Sequence, residues 1–181
     1  MGLPSLEITS VDQLRDWLDA HHATSDGVWL VTWKKHTGAK HVAWGEFVPE
    51  LLCFGWIDSQ AKGVDADRTS IRITPRRRGS HWSAVNKRHL ERLEAEGRMR
   101  PAGLAAIEAA KVDGSWTFLD DIEALIEPDD LQRALEGRRE RWEARPPSFK
   151  KQALFQLKSA KRPETRARRL AKLLDDLAAR S

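Results

Sequence analysis

Apolar residues recur at helical or strand spacing along most of the chain, and this pattern predicts the elements of the fold. Leu14, Trp17 and Leu18 follow the candidate N-cap Ser10 at helical spacing, so they predict an amphipathic helix. Residues 28–35 (VWLVTWKK) are rich in β-branched and aromatic residues, which is typical of a strand. The N-terminal part of the chain is therefore expected to form a helix followed by a strand.

The middle of the chain alternates between helical and strand patterns. The apolar positions of residues 42–55 (VAWGEFVPELLCFG) have helical spacing and end near a glycine. Residues 56–62 and 69–75 have strand composition, and the turn between them is rich in Gly and Asp, which predicts antiparallel neighbours. From Ser80 onward every segment reads as helical, with one helix closing at Gly97, the next opening at Pro101, and later helices at roughly 118–126, 128–143, 148–159 and 163–179.

These elements predict an α+β fold, with a small antiparallel sheet and packed helices followed by a helical C-terminal half. We expect residues 1–100 to form the α+β core, with strands near 28–35, 56–62 and 69–75. Residues 101–181 are expected to form a helical region packed on that core. A chain of 181 residues is long enough to bury a substantial interior.

Composition excludes several classes of protein and site. The single cysteine, Cys53, lies in an apolar run, so the chain has neither a disulfide framework nor a cysteine-based metal site. No apolar run approaches the roughly 20 residues needed to cross a bilayer, and the N-terminus lacks secretion-signal features, so a cytoplasmic location is expected. Motifs for nucleotide, dinucleotide, metal and esterase sites are absent, and we expect neither a cofactor nor a metal. The oligomeric state is left open.

Charge is distributed in alternating blocks, although the net charge is only +4. Residues 1–70 and 101–143 are acidic, whereas residues 71–100 and 144–181 are basic. Such alternation favours charge complementarity within the chain over one continuous basic face.

Basic side chains are densest in the C-terminal segment, around the start of an amphipathic helix opened by Pro163. Bases at a helix N-terminus oppose the helix dipole, so a partner must favour them. That partner is the acidic block 101–143, nucleic acid, or a membrane surface or partner protein. If it is nucleic acid, the contact residues are Lys158, Lys161, Arg162, Arg166, Arg168 and Arg169.

Two short clusters predict a pocket. In PRRRGSHWS (residues 75–83), arginines precede a helix start that Ser80 or Ser83 can cap, and helix N-termini attract anions. In WIDS (residues 56–59), strand alternation places an indole and a carboxylate on one face. We expect six residues to converge on one concave ligand site: Trp56, Asp58, Arg76, Ser80, Trp82 and Asn86.

Each cluster also has a purely structural interpretation. The arginines can be solvated or paired beside a capped helix, and Asp58 can pair with Arg72 or Arg76 from the neighbouring strand. A third possibility is that Asp58, partly desolvated beside the indole, is a catalytic base. Apolar spacing assigns Trp17, Trp29, Trp44 and Trp142 to the core and leaves Trp33, Trp56, Trp82 and Trp116 near element ends, where indoles can line a cleft.

Three segments carry a family resemblance: LLCFGWIDS (51–59), TPRRRGSHWSAVNKRHLERLEAEGRMRPAGLAAIEAAKVDGSW (74–116) and LKSAKRPETRARRLAKLL (157–174). Together they resemble the YdeI/OmpD-associated family, whose members often carry the label bacteriocin-protection protein. The resemblance extends over nearly the whole chain. It implies a link to resistance against antimicrobial peptides, but it implies no reaction and no catalytic residues.

These observations predict a cytoplasmic binding protein for an anionic or amphipathic small molecule or peptide, linked by the resemblance to bacteriocin resistance. One alternative is a nucleic-acid-binding accessory protein that uses the basic C-terminal helix. Another is an enzyme that uses Asp58.

Overall fold

A computed structural model of the protein describes residues 2–179 and divides them into two units, residues 2–116 (unit 1) and residues 117–179 (unit 2). The described elements of unit 1 are β1 (Ser5–Glu7), α1 (Val11–His21), β2 (Val28–Trp33), a 3-10 helix (Lys35–Lys40), α2 (Trp44–Cys53), β3 (Trp56–Gly63), β4 (Arg68–Pro75), α3 (Ala84–Ala95) and α4 (Pro101–Asp113). Those of unit 2 are α5 (Asp120–Glu123), α6 (Asp129–Ala134), α7 (Arg139–Glu143), α8 (Pro147–Lys158) and α9 (Pro163–Ala178).

The predicted α+β fold class is confirmed. The three predicted strands and a fourth, β1, form one sheet in the order β1-β2-β4-β3, and β4 is antiparallel to both β2 and β3. The sheet is mixed rather than purely antiparallel, because β1 pairs parallel to β2. Sequence patterns missed β1 because a strand of three residues is too short to show alternation. Packing of the helical region on the α+β core stays a prediction.

One face of the sheet in unit 1 covers the apolar core. Val28, Leu30 and Ile73 are buried on that face, together with the apolar side of α2. Helix α4 approaches α2 closely at Gly103, where a Cβ atom would clash with the carbonyl oxygen of Cys53. Only glycine permits that contact, so the packing of the two helices depends on it. Cys53 itself is buried.

Unit 2 has a separate apolar core. Its buried residues come from α5 to α9 and from the position just after α6: Ile122, Leu131, Leu135, Trp142, Leu154, Leu157, Leu173 and Leu177. The helix predicted at 128–143 divides into α6 and α7, because Gly137 between them has a φ of 73°, a left-handed angle that breaks the helix. The two C-terminal helices begin at Pro147 and Pro163, as the positions of proline indicate.

Trp142 is buried as its apolar spacing predicts, but other tryptophans are placed differently from their assignment. Trp56 and Trp82 are buried in the core of unit 1, whereas Trp44 is 46% exposed. Trp44 is the first residue of α2, where its indole N–H donates to Asp58 Oδ2 at 2.9 Å. Trp29 is only partly buried, because β2 turns it away from the core face. For Trp29, the face of the strand on which it lies decides its burial, and the apolar residues next to it in the sequence do not.

Candidate functional site

Arg76 leaves the end of β4 and stacks on the ring of Trp82. Its backbone N–H donates to the Gly55 carbonyl at 2.9 Å. Its guanidinium carbon lies 3.7 Å from the Trp82 ring centroid, and Nη1 donates to the His81 carbonyl at 3.2 Å. Nε is buried without a hydrogen-bond partner among the described residues. Burial lowers the pKa of Arg76 to about 10, although the charge of Asp58 acts in the opposite direction.

The turn after Arg76 is tied to the end of α4 by Asp113. Gly79 has a φ of 76°, and its N–H donates to Asp113 Oδ2 at 2.9 Å. The Ser115 N–H donates to Asp113 Oδ1 at 2.9 Å. The pKa of Asp113 is lowered by the nearby Ser115 hydroxyl and by hydrogen bonds from the backbone N–H groups of Ser115 and Gly79, so this carboxylate is ionised at neutral pH. An anion entering here would meet a resident negative charge.

The cavity bounded by this turn and α4 is small. Its volume is about 60 Å³, and its lining includes Arg76, Ser80, Trp82, Ala110 and Asp113. Sites for drug-sized ligands are usually about 300–1,000 Å³, whereas a few water molecules or a small anion occupy a space of this size. The cavity is therefore too small for a peptide or an organic molecule with a planar part.

The predicted convergence of six residues is only partial. Arg76, Ser80 and Trp82 line the cavity, whereas the other three predicted residues do not. Trp56 lies opposite Pro75 in the sheet register, on the core face, and its ring meets that of Trp17 edge-on at 5.6 Å.

The remaining two predicted residues have local partners. Asp58 accepts the indole N–H of Trp44 rather than a hydrogen bond from an arginine. Asn86 lies in the first turn of α3, where its N–H donates to the Ser83 side chain at 3.2 Å. Of the two serines that could cap this helix, Ser83 does so. Ligand binding by the six residues, and catalysis by Asp58, stay predictions.

Basic residues of the C-terminal segment divide into paired and unpaired groups. Arg166 donates to both oxygens of Asp130 at 2.7 Å and to the Leu157 carbonyl, and Lys158 donates to Asp121 at 2.9 Å. Arg169 donates to the Gln156 carbonyl and the Ser159 hydroxyl at the end of α8. Within residues 2–179, three of the six have no acidic partner and are exposed: Lys161, Arg162 and Arg168. The acidic block thus accounts for part of the cluster, and nucleic-acid binding by the rest stays a prediction.

A larger groove, which the sequence patterns missed, lies between α8 and α9 in unit 2. Its volume is about 320 Å³, and it is lined by Phe149, Gln152, Ala153, Gln156, Leu157, Arg169, Lys172, Leu173 and Asp176. The signal that could have revealed it is helical spacing. Phe149, Ala153 and Leu157 recur every four residues on α8 and face Leu173 of α9.

The groove has an apolar floor and a polar rim. Leu157 and Leu173 are buried and belong to the core of unit 2, and Phe149 packs edge-on against Trp142 with 6.4 Å between ring centroids. Gln152, Gln156, Lys172 and Asp176 are exposed along the rim. Such an arrangement suits a ligand with one apolar and one polar side.

Membrane-spanning helices and metal sites are both missing from the described residues. No helix within residues 2–179 is long and apolar enough to cross a membrane. The same part of the chain contains no group of three or more His, Cys, Asp or Glu side chains arranged to hold a metal ion.

Comparison with known families divides the chain in a similar place. Residues 6–106 match a family described as Domain of unknown function (DUF8412). Residues 124–180 match the family described as Bacteriocin-protection, YdeI or OmpD-Associated, which confirms the predicted resemblance for that segment, but not over nearly the whole chain. No curated protein matches the chain, and no solved structure matches it.

Proposed function

The chain belongs to the family described as Domain of unknown function (DUF8412), and we propose that it is a binding protein for an amphipathic peptide or small molecule in bacteriocin protection. We place the proposed binding in unit 2. One observation carries the proposal. The α8–α9 groove lies entirely within residues 124–180, the segment that matches the bacteriocin-protection family. The family matched by residues 6–106 has a description that names no activity, so the groove of unit 2 is the basis of the proposed function.

Size and lining support a peptide ligand. The groove volume of about 320 Å³ reaches the range of ligand sites, whereas the Arg76 cavity of about 60 Å³ does not. Amphipathic helices bind other proteins by laying an apolar stripe in such a groove. Phe149, Ala153 and Leu173 would contact that stripe, and the exposed rim would contact the polar side of the ligand.

Charge favours a ligand with an acidic group. Two cations, Arg169 and Lys172, and one acid, Asp176, lie along the groove. Lys172 is exposed and has no ion-pair partner among residues 2–179, so its ammonium group can bind a ligand carboxylate. Arg169 already donates hydrogen bonds to the end of α8, so it mainly forms part of the groove wall and adds a positive charge nearby.

Calorimetric titration with two amphipathic helical peptides tests the proposal, one built from Leu and Glu and the other from Leu and Lys. We expect the Leu/Glu peptide to bind more tightly. Ala153→Leu fills the groove and should weaken binding about tenfold, because extra methylenes in a packed site cost about 1–3 kcal/mol. Lys172→Gln should weaken binding of the Leu/Glu peptide alone, by roughly threefold or more.

A matched control is Ala167→Leu, on an exposed position of α9 outside the groove lining, which should bind like the wild type. Peptide-resolved hydrogen exchange over residues 117–179 checks that unit 2 is intact in each variant. If neither peptide binds the wild type, or if Ala153→Leu and Ala167→Leu behave alike, the groove is not the site.

A cytoplasmic location is also part of the proposal. Fractionation of cells that express the chain, with a cytoplasmic and an envelope marker protein, tests it. Recovery with the envelope marker would contradict the location without affecting the groove.

A further inference from the structure

Unit 1 presents a second sheet face, opposite the face that covers its core. In the register, Trp29 lies opposite Arg72, Val31 opposite Ser70, and Trp33 opposite Arg68. Directly opposed residues share a face, and Lys62 joins the same face because it is also paired with Ser70. We name this set the outer sheet face: Glu7, Trp29, Val31, Trp33, Lys62, Arg68, Ser70 and Arg72.

The two tryptophans of the outer sheet face carry cations on their rings. Lys62 Nζ lies 3.7 Å from the Trp29 ring centroid, and Lys40 Nζ lies 4.3 Å from that of Trp33. Both tryptophans are partly exposed, and both lysines are exposed. Four residues of strand separate the rings by about 13 Å, so each can serve a different group of one extended ligand.

Polar groups on the same face lack partners. Ser70 is only 1% exposed, and its hydroxyl has no hydrogen-bond partner within residues 2–179. The Arg72 Nε is buried and equally without a partner. Buried polar atoms are nearly always hydrogen-bonded, so these two atoms have a hydrogen-bonding capacity that the described residues do not use.

Charge on the outer sheet face is predominantly positive. Arg68 is neutralised by Glu7 and Asp65, each at 2.7 Å. Lys62 and Arg72 of this face, and Lys40 beside it, have no acidic partner in the described part of the chain. A complementary ligand therefore carries negative charge and flat rings.

We propose that the outer sheet face binds single-stranded nucleic acid. Two bases stack on Trp29 and Trp33 and displace Lys62 and Lys40 from the rings, because base stacking on an aromatic side chain is stronger than an exposed cation–π contact. The displaced lysines and Arg72 then contact phosphates. This site lies in unit 1, so it does not depend on the groove of unit 2.

Fluorescence anisotropy with labelled oligo-dT and oligo-U on the full chain tests this proposal, and the two probes distinguish DNA from RNA as the source. We expect salt-sensitive binding of at least one. Trp29→Ala and Trp33→Ala should each weaken it about tenfold. Lys62→Gln, which leaves the packing intact, should reduce the slope of log affinity against log salt by about one unit.

Two controls distinguish the outer sheet face from an exposed tryptophan and from exposed basic residues elsewhere in the chain. Trp44→Ala removes an exposed tryptophan from α2, outside the outer sheet face, and should bind like the wild type. The triple variant K161Q/R162Q/R168Q removes the exposed basic side chains of the C-terminal segment and should also retain binding.

Several outcomes would overturn the proposal. Binding that is lost in the triple variant and unchanged in Trp29→Ala and Trp33→Ala would assign the nucleic acid to the C-terminal segment. If polyglutamate displaces the labelled oligonucleotides as well as unlabelled oligonucleotide does, the face recognises negative charge without stacking, as binding of an acidic protein requires. Absence of binding to both oligonucleotides at low salt would end the proposal directly. If the tryptophan variants fail to fold, a slope of log affinity against log salt that is unchanged in Lys62→Gln would contradict the proposal.

Discussion

The two units place their main ion pairs at different depths. In unit 1, Glu50 is 1% exposed and accepts hydrogen bonds from Arg15, at 2.6 Å, and from Arg98. In unit 2, the side chains of Arg166 and Asp130 are 30% and 33% exposed, and they pair through two hydrogen bonds of 2.7 Å. Both pairs join distant parts of the chain, but water reaches only one of them freely.

This difference governs what each pair contributes to stability. Removing a buried acid empties the space that its side chain filled and leaves its partners uncompensated, which costs several kcal/mol. Removing one member of a pair at the surface leaves a charge that water solvates, so the cost is small. Depth therefore decides the size of each expected effect more than distance does.

The largest effect is expected for Glu50→Ala. The change should lower the free energy of unfolding of unit 1 by about 2–5 kcal/mol, mainly because removal of the buried side chain opens a cavity on α2. Arg15 and Arg98, whose side chains are 24% and 36% exposed, also lose their common acid. Peptide-resolved hydrogen exchange measures this, since it assigns the lost protection to residues 2–116 or to residues 117–179.

Glu50→Gln is the matched control. It keeps the shape and one acceptor oxygen but removes the charge, so it should lose clearly less than Glu50→Ala. Equal protection in Glu50→Ala and the wild type would contradict a stabilising role for the buried acid.

A smaller effect is expected for Arg166→Gln. The partly exposed, two-bond pair with Asp130 should contribute about 1 kcal/mol to the stability of unit 2. Arg168→Gln, on the same helix but exposed and without an acidic partner among residues 2–179, should stay within about 0.5 kcal/mol of the wild type. Hydrogen exchange of peptides from residues 117–179 compares the two variants, and equal losses would show that the pair contributes nothing specific.

Acid provides an independent test of the same pair. Arg166 hydrogen bonds lower the pKa of Asp130 below its ordinary value of 3.8. Because the pKa of Asp130 is lower in the folded state, this group contributes its full stability when the pH is above its ordinary pKa of 3.8. That stability is lost as the pH falls through the folded-state pKa. The stability difference between wild type and Asp130→Asn should therefore shrink below about pH 4. A difference that stays constant to lower pH would contradict the linkage.

The smallest effect is expected for Arg76→Met. Burial disfavours the Arg76 charge, which no carboxylate among the described residues contacts closely, and methionine keeps the apolar stem over Trp82. Loss of the stacking and of the bond to His81 should then roughly cancel the relief of desolvation, within about 0.5 kcal/mol. Thermal unfolding measures the balance. A loss above about 1.5 kcal/mol would mean that the charge itself stabilises unit 1.

Local patterns predicted much of the framework of this fold. The composition of residues 28–35, 56–62 and 69–75 is sufficient to predict three strands. Strand and helix boundaries depend on near neighbours, which periodicity and turn residues record. The resemblance of the C-terminal segment to the bacteriocin-protection family could likewise be read from consecutive residues.

The sequence alone left open which of the candidate site residues would meet. Strand register turned Trp56 into the core and away from the cavity that Arg76, Ser80 and Trp82 line. Helix packing alone opened the groove between α8 and α9, and it brought Arg166 to Asp130 across 36 positions and Arg98 to Glu50 across 48. Such contacts depend on the relative placement of whole elements, which no local spacing encodes. The sequence therefore determined the elements of this protein, and the tertiary structure decided which of its charges are paired, which tryptophans are exposed, and where a ligand has room to bind.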